Sequence, residues 1–448
     1  MRLTNVTLYP TARCQLDCLY CPLTKIQYLN EMDKDFEDSY KDKGYYTRQL
    51  MRLGWENIKD IHRIELWGGE PTLALHRTHD TVRDFVELLP KLDMVFFSTN
   101  LAHSKVAEEI EGLVDVLGEF PDRNFRIGIQ LSIDGPPEIT DAGRGAGVTE
   151  KFLENYHLLM DKKWFSEKYP NVRIQTMYKP TLDTVTLKKF LDIDYMEYYY
   201  KWFEDNLYDD AVKNLSKKYN GMICAIPNIA TPLEATKEDG IDFYQIQKNA
   251  MYLSLNNPFR YYKNIVMYTR GNWYKESNQV KYCGVGRSIV ELLPNGKYCG
   301  CHRAFLTYCD EYRSSVNNYD VSKPLDHRSL SYENPVFIFD SPEEFIEFAE
   351  RVEKPMSSSS SFLVSQGVIR YLANLGQIDE RYKDPIEAHK AANLMSEYSS
   401  QCIYDNYTVC GTQMTGIFSL YRMFLNGAID VVKVATERKN LLNEIKQV

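Results

Sequence analysis

"NVTLYPTARCQLDCLYCPL", residues 5–23, carries two signals in one stretch. Its first six residues, rich in β-branched and aromatic side chains, read as a β-strand. The rest sets three thiols, Cys14, Cys18 and Cys21, on one short loop, with Tyr20 just before the third. "RIELWG" (63–68), "MVFFST" (94–99), "FRIGIQLSID" (125–134) and "VRIQTMY" (172–178) are further strands, separated by helix-length amphipathic segments such as "HDTVRDFVELLPKL" (79–92). Such βα alternation implies an α/β fold with parallel strands and right-handed crossovers, whose ligands gather at the carboxyl ends of the strands. The unusual segments all fall there. The cysteine loop follows strand one, "GGEP" (68–71) follows strand two, Asn100 ends strand three and "SIDG" (132–135) ends strand four. Gly68 and Gly69 are expected to let backbone approach a ligand closely, since they carry no Cβ. Taken singly, GGEP and DGPP are ordinary turn sequences. Taken together on one rim, they define a cofactor site.

The chain has 448 residues and is 44% hydrophobic, enough for two or three domains with substantial cores. A formal charge of -9 argues against a broad nucleic-acid surface and disfavours RNA as a substrate. No apolar run approaches the roughly 20 residues of a membrane helix, and "MRLTNVTLYP" lacks a signal-peptide layout, so the cytoplasm is the expected address. Ten cysteines in a reducing compartment point to metal chemistry or core packing rather than disulfides.

Spacing favours metal at the first three. Three close thiolates can each hold one iron of a cubane and leave the fourth iron open for chemistry. Structural zinc is closed by four ligands, and C-x3-C-x2-C without a nearby fourth ligand suits it poorly. The next cysteine, Cys224, lies in an apolar run, "GMICAIPNI" (221–229), and is read as core of a sixth strand.

The C-x3-C-x2-C loop, the aromatic before its third cysteine, "ELWGGEPTL" (65–73), "FFSTN" (96–100) and "LSIDGPPEITDAGR" (131–144), in that order, resemble the radical S-adenosylmethionine enzymes. The resemblance implies a partial (βα)6 TIM-like barrel over residues 1–235, with a [4Fe–4S] cluster on Cys14, Cys18 and Cys21. It also implies S-adenosylmethionine held by Tyr20, Gly68, Gly69, Glu70, Pro71, Asn100, Ser132, Asp134 and Arg144. The GGEP backbone would receive the methionine amino group, and the later segments the ribose and carboxylate. A reduced cluster would then pass an electron to the sulfonium, and a 5′-deoxyadenosyl radical would take a hydrogen atom from the substrate. A flavodoxin- or ferredoxin-type protein would supply the electron.

Residues 192–221 are crowded with aromatics and charges and read as an inserted helical segment. With 33 tyrosines in the chain, packing is favoured over substrate contact. A second cysteine group starts at "CGVGRSIVELLPNGKYCGCHRAF" (283–305), in which "SIVELL" and "KYCGC" flank an Asn-Gly turn, a strong hairpin signal. The hairpin lets Cys283 and Cys301 meet at one metal. This arrangement resembles the start of a SPASM domain, shortened as in twitch domains, and implies a C-terminal α+β auxiliary-cluster domain over 236–448. One auxiliary [4Fe–4S] cluster is expected on Cys283, Cys301, Cys402 and Cys410, with Cys299 and Cys309 as rival ligands and zinc on the same four thiols as the alternative.

Relatives with such extensions mostly oxidise or cross-link peptides and proteins, as in sulfatase maturation or RiPP maturation, so a peptide or protein substrate is expected. His302 stands where some of them place a proton acceptor. Strand one begins within the first few residues, so no leader-binding region is expected before the barrel, and a peptide would be recognised by a separate protein or the C-terminal half. That keeps dehydrogenation of a small-molecule alcohol as the runner-up. A non-catalytic iron–sulfur protein would have no use for a nucleoside site. "RVEKPMSSSSSFLVSQG" (351–367) reads as a linker rather than a lid, and residues 416–448 as helices packed on the auxiliary domain.

Overall fold

The computed structural model describes residues 3–19, 29–161, 168–178, 180–183, 188–207, 222–223, 228–230, 249, 288–300, 338–353, 379–384, 386–387 and 390. Strands β1 (Asn5–Thr11), β2 (Arg63–Gly68), β3 (Met94–Thr99), β4 (Phe125–Leu131) and β5 (Val172–Tyr178) lie side by side in chain order, each parallel to the next. Helices α1 (Leu29–Lys41), α2 (Tyr45–Met51) and α3 (Trp55–Ile58) follow β1, and α4 (His79–Leu88) follows β2. Helix α5 (Val106–Gly118) follows β3, and α6 (Pro137–Arg144) and α7 (Val148–Asp161) follow β4. Strand order that never reverses, joined by right-handed crossovers, places the crossover helices on one face of the sheet. This is the architecture of a partial, unclosed (βα) barrel.

Side-chain alternation bears this out. In register, Val6, Ile64, Val95, Ile127 and Ile174 form one row and Leu8, Leu66, Phe97 and Ile129 the next, all nearly inaccessible to solvent. These rows meet the helices' apolar stripes: Val82, Phe85 and Val86 of α4, Ile110, Leu113, Val114 and Leu117 of α5, and Phe152 and Tyr156 of α7. Tyr178, on the same face, donates its hydroxyl to that of Tyr156 at 2.8 Å. The opposite face is different. Its rows run Asn5, Arg63, Met94, Arg126, Arg173 and Thr7, Glu65, Phe96, Gly128, Gln175, with Ser98 beside Gln130 above them. This face mixes polar and aromatic groups: Thr7, Glu65, Phe96 and Gln130 are buried on it, and Arg63 and Trp67 pack against the Phe96 ring.

Helix α8 (Ile193–Leu207) follows a short strand, β6 (Thr181–Asp183). It buries Met196, Tyr199, Tyr200, Phe203 and Leu207, so these tyrosines pack, as composition favoured. Within the expected sixth strand, β7 (Met222–Ile223) extends the sheet beyond β5, whereas β8 (Asn228–Ala230) pairs with β6 in a separate two-stranded sheet. Cys224 lies outside the described residues.

The Asn-Gly hairpin forms as read. Strands β9 (Ile289–Leu292) and β10 (Tyr298–Cys299) are antiparallel, and Gly296 takes φ 80° in the turn. Its position is unexpected. β9 runs parallel to β1 at the sheet's other edge, β10 and β11 (Ile338–Phe339) continue outward, and α9 (Pro342–Glu353) packs Phe345 on Tyr298. Among the described residues the sheet therefore has nine strands in the order β11-β10-β9-β1-β2-β3-β4-β5-β7. Segments that the sequence reading assigned to a second domain hydrogen-bond directly to the first.

The two-faced sheet makes a prediction. Phe97→Ala, on the helix-covered face, should cost about 3–5 kcal/mol, whereas Ser98→Ala on the opposite face should stay within about 1 kcal/mol. Urea unfolding followed by circular dichroism separates them, and equal losses would contradict the face assignment.

Candidate functional site

The cysteine loop leaves β1 at an irregularity: Leu8 pairs with Leu66 but Thr11 pairs with Gly68, one residue out of step. The loop base is fixed by a residue the sequence reading missed. Asp33 on α1, with its side chain fully buried, accepts from the Thr11 hydroxyl, from Ala12 N at 3.1 Å, from Arg13 Nε at 2.6 Å and from Arg77 Nη1 at 3.2 Å. Burial pushes its pKa up, but the hydrogen bonds from Thr11 and Arg13 and the charge of Arg77 outweigh it, and the carboxyl titrates below the usual aspartate range. The available signal was an acid beside Met32 and Phe36 on the helix's apolar stripe.

The GGEP turn is clasped to this loop. Gly69 N donates to Thr11 O at 3.2 Å and Glu70 N to Arg13 O at 2.7 Å. A Cβ on Gly68, whose φ is 137°, would lie 2.0 Å from Thr11 O, and one on Gly69 2.1 Å from Arg13 O. Both glycines are thus required for close approach to the chain's own backbone.

Glu70 is almost fully buried. One carboxylate oxygen accepts from Thr72 N and the Thr72 hydroxyl at 3.1 and 2.5 Å, the other from Asn100 N at 2.7 Å. Desolvation raises its pKa despite these bonds. His103 Nε2 lies 2.8 Å from the Thr72 hydroxyl, whose proton Glu70 takes, so that nitrogen donates. Burial lowers the His103 pKa, which favours the neutral ring.

Asn100 joins the strand-three segment to the cysteine loop. Its Oδ1 accepts from Gln15 Nε2 at 2.7 Å and from Ala102 N at 2.9 Å, and its Nδ2 donates to Cys14 Sγ at 3.7 Å. Leu16 N also points at Cys14 Sγ, at 3.5 Å. Cys18 is buried and Cys14 half-buried. A sulfur that receives two N–H donors suits a metal-ligating thiolate, so the described part of the loop fits an iron–sulfur ligand set. Tyr20 and Cys21 lie outside the described residues, and among those described no three His, Cys, Asp or Glu converge on one point.

The fourth segment closes the rim. Ser132 N donates to Thr99 O at 2.8 Å, and Leu19 N, next to Cys18, donates to Gly143 O of α6 at 2.9 Å. Asp134 and Arg144 meet each other. Arg144 Nε and Nη2 donate to the two carboxylate oxygens at 2.7 and 2.8 Å, both side chains are buried, and Thr181 N adds 2.7 Å to Asp134 Oδ1. Both oxygens of Asp134 are thus engaged within the protein. Gly135 lies under the Tyr199 ring, whose hydroxyl donates to Asp134 O at 2.8 Å.

The structure therefore gathers Cys14, Cys18, Gly68, Gly69, Glu70, Pro71, Asn100, Ser132, Asp134 and Arg144 at the carboxyl ends of adjacent strands. Cys283, Cys301, His302, Cys309, Cys402 and Cys410 lie outside the described residues. The rival ligand Cys299 is fully buried in β10, opposite Glu291. No helix among the described residues is long and apolar enough to cross a membrane.

No family model matches the chain, and no curated protein matches it. Among solved structures it is similar to native anSMEcpe with bound AdoMet, with 18% identity, a TM-score of 0.37, and coverage of 67% of this chain and 74% of that one. It is also similar to native anSMEcpe with bound AdoMet and Cp18Cys peptide, with 15% identity, a TM-score of 0.36, and coverage of 78% and 97%.

Two outcomes test this geometry. Gly69→Ala should destabilise the fold by about 1–3 kcal/mol or more and so lower the urea midpoint, because the opposing Arg13 carbonyl is backbone; a parental midpoint would refute the clasp. Asp33, with its pKa depressed, stabilises the fold above its unfolded pKa of about 3.9, and that contribution disappears as pH falls through the folded value. Asp33→Asn should therefore be less stable than the parent at neutral pH, with the gap in thermal midpoint closing below about pH 4.

Proposed function

We propose that this chain is a radical S-adenosylmethionine enzyme that oxidises or cross-links a side chain of a peptide or protein. One observation carries the reading: the segments after four consecutive parallel strands are hydrogen-bonded into a single rim around Cys14 and Cys18. A structural metal knuckle needs no such continuity across four strands. When bound, an iron–sulfur cluster with one open iron supplies the electron that cleaves S-adenosylmethionine and so starts hydrogen-atom abstraction.

The residues here have separate tasks in that reading. Cys14, Cys18 and Cys21 hold the cluster. The GGEP turn and Ser132 present polar backbone and side-chain groups to the cofactor, with Tyr20 beside the third thiol. Asp134 keeps the Arg144 guanidinium at the rim, desolvated and oriented, where it favours an anionic group such as a carboxylate. The polar inner face, with Thr7, Glu65 and Gln130, offers hydrogen bonds to a substrate below the rim. Asn5, Arg63 and the Trp67 indole hold Glu65 in place. Cys283, Cys301, Cys402 and Cys410 are proposed to hold one auxiliary cluster, with His302 as proton acceptor and a flavodoxin- or ferredoxin-type donor.

Anaerobically reconstituted protein with dithionite should cleave S-adenosylmethionine to 5′-deoxyadenosine, and Cys18→Ala should abolish this. Cleavage surviving in the triple alanine variant at 14, 18 and 21 would overturn the assignment. With a peptide substrate, mass should fall by about two daltons per modification, the loss of two hydrogens. Turnover of a small alcohol without any peptide would instead favour the dehydrogenase reading.

A further inference from the structure

Asn100 is built into its position at a cost. Leu101, which follows it, has φ 51°, the one positive φ at a non-glycine among the described residues, and it is fully buried. A bulky side chain in this region is strained, and such strain persists only where surrounding contacts impose it. Those contacts are present. Leu101 N donates to the Thr99 hydroxyl at 3.1 Å, and Asn155 Nδ2 donates to Leu101 O at 2.6 Å and His103 O at 3.2 Å. Glu70 holds the Asn100 N–H, and Asn100 Oδ1 accepts from Ala102 N two residues on, closing an Asx turn. The turn reverses the chain just past β3 and aims the Asn100 side chain back over the cysteine loop.

The amide has only one orientation. Ala102 N is a backbone donor and cannot accept, so the atom facing it is the carbonyl oxygen, and Gln15 Nε2 donates to the same oxygen. The NH2 group is therefore the end that faces Cys14 Sγ, at 3.7 Å. With Asn100 only 5% exposed, water competes little for that donor.

We propose that Asn100 is a positioning residue whose side-chain amide donates to the Cys14 sulfur and thereby raises the reduction potential of the cluster. The inference rests on the radical-enzyme reading and assigns this residue to the metal ligand rather than to S-adenosylmethionine. An N–H donor at a ligating sulfur stabilises the added electron, so its loss makes the cluster harder to reduce. The strained turn, Glu70 and Gln15 exist, on this account, to hold one donor in place.

The test compares the full-length parent with Asn100→Asp and Asn100→Ser, all reconstituted anaerobically. Asp keeps the oxygen that accepts from Ala102 and Gln15 but replaces the NH2 donor. Ser keeps a short acceptor for the turn and carries no amide to reach the sulfur. The readout is a potentiometric titration followed by electron paramagnetic resonance, on the signal that the Cys14, Cys18 and Cys21 triple alanine variant lacks. Both variants should keep parental iron content while their midpoint moves more negative, with about a tenfold change in the one-electron equilibrium, about 59 mV. Parental midpoints in both variants would overturn the proposal. Loss of iron from both would overturn it too, because a donor that tunes Cys14 is not needed for assembly. If the parent shows no signal that depends on the three cysteines, the radical-enzyme reading itself fails, and this inference with it.

Discussion

Two backbone segments lie closer together than any side chain allows, and the site depends on that contact. Gly68 and Gly69 let the turn after β2 rest on the carbonyls of Thr11 and Arg13. Once it rests there, Glu70 is carried into the interior, where its carboxylate must find donors or desolvation would force it neutral. It finds them at Thr72 and at Asn100, across on the end of β3. Asn100 in turn reaches the cysteine loop from which the contact began. The rim is thus a closed circuit of local necessities, each buried polar group supplying the partner that the next requires.

The same accounting explains why so much charge is buried near the rim. Asp33 is surrounded by two arginines and the loop's own N–H and hydroxyl groups, and Asp134 is matched by Arg144 and a backbone amide. Paired charges of this kind add little net stability, but removal of one partner strands the other, so they fix geometry more than they hold the fold together. The fold is held by the opposite face, where aliphatic rows from the parallel strands meet the helices. Stability and chemistry are therefore divided between two sides of one sheet.

Strands two, three and five were legible to the residue, because a half-buried parallel strand with β-branched runs bounded by Gly, Asn or Asp has few alternatives. Helix α4 ended before Pro90, with Leu89 already extended, as the residue preceding a proline favours. The candidate site was legible as a set of positions but not as a set of bonds. Asp134 and Arg144 read as two separate cofactor contacts and turned out to be partners. Asp33 was missed because the apolar stripe of "LNEMDKDFEDSYK" marks it as an inward-facing acid but does not say that it meets a loop 20 to 22 residues earlier in the chain. Residues 221–229 read as one strand, yet Met222–Ile223 and Asn228–Ala230 pair in two different sheets, since local propensity does not specify a neighbour.

The sequence by itself determined the element types, the parallel order and the placement of the cysteine, GGEP, STN and SIDG segments at strand ends, because these follow from periodicity and crossover handedness, which are local or nearly so. Only the tertiary structure decided that the two glycines serve a backbone contact, that the Asn-Gly hairpin joins the first sheet beside β1, and that the Asn100 amide faces Cys14. Each of those depends on which atoms from distant segments come within about 4 Å of each other, where hydrogen bonding and steric exclusion act. Chain-distant proximity of that kind is set by packing of the whole sheet against its helices, and no short window of residues encodes it.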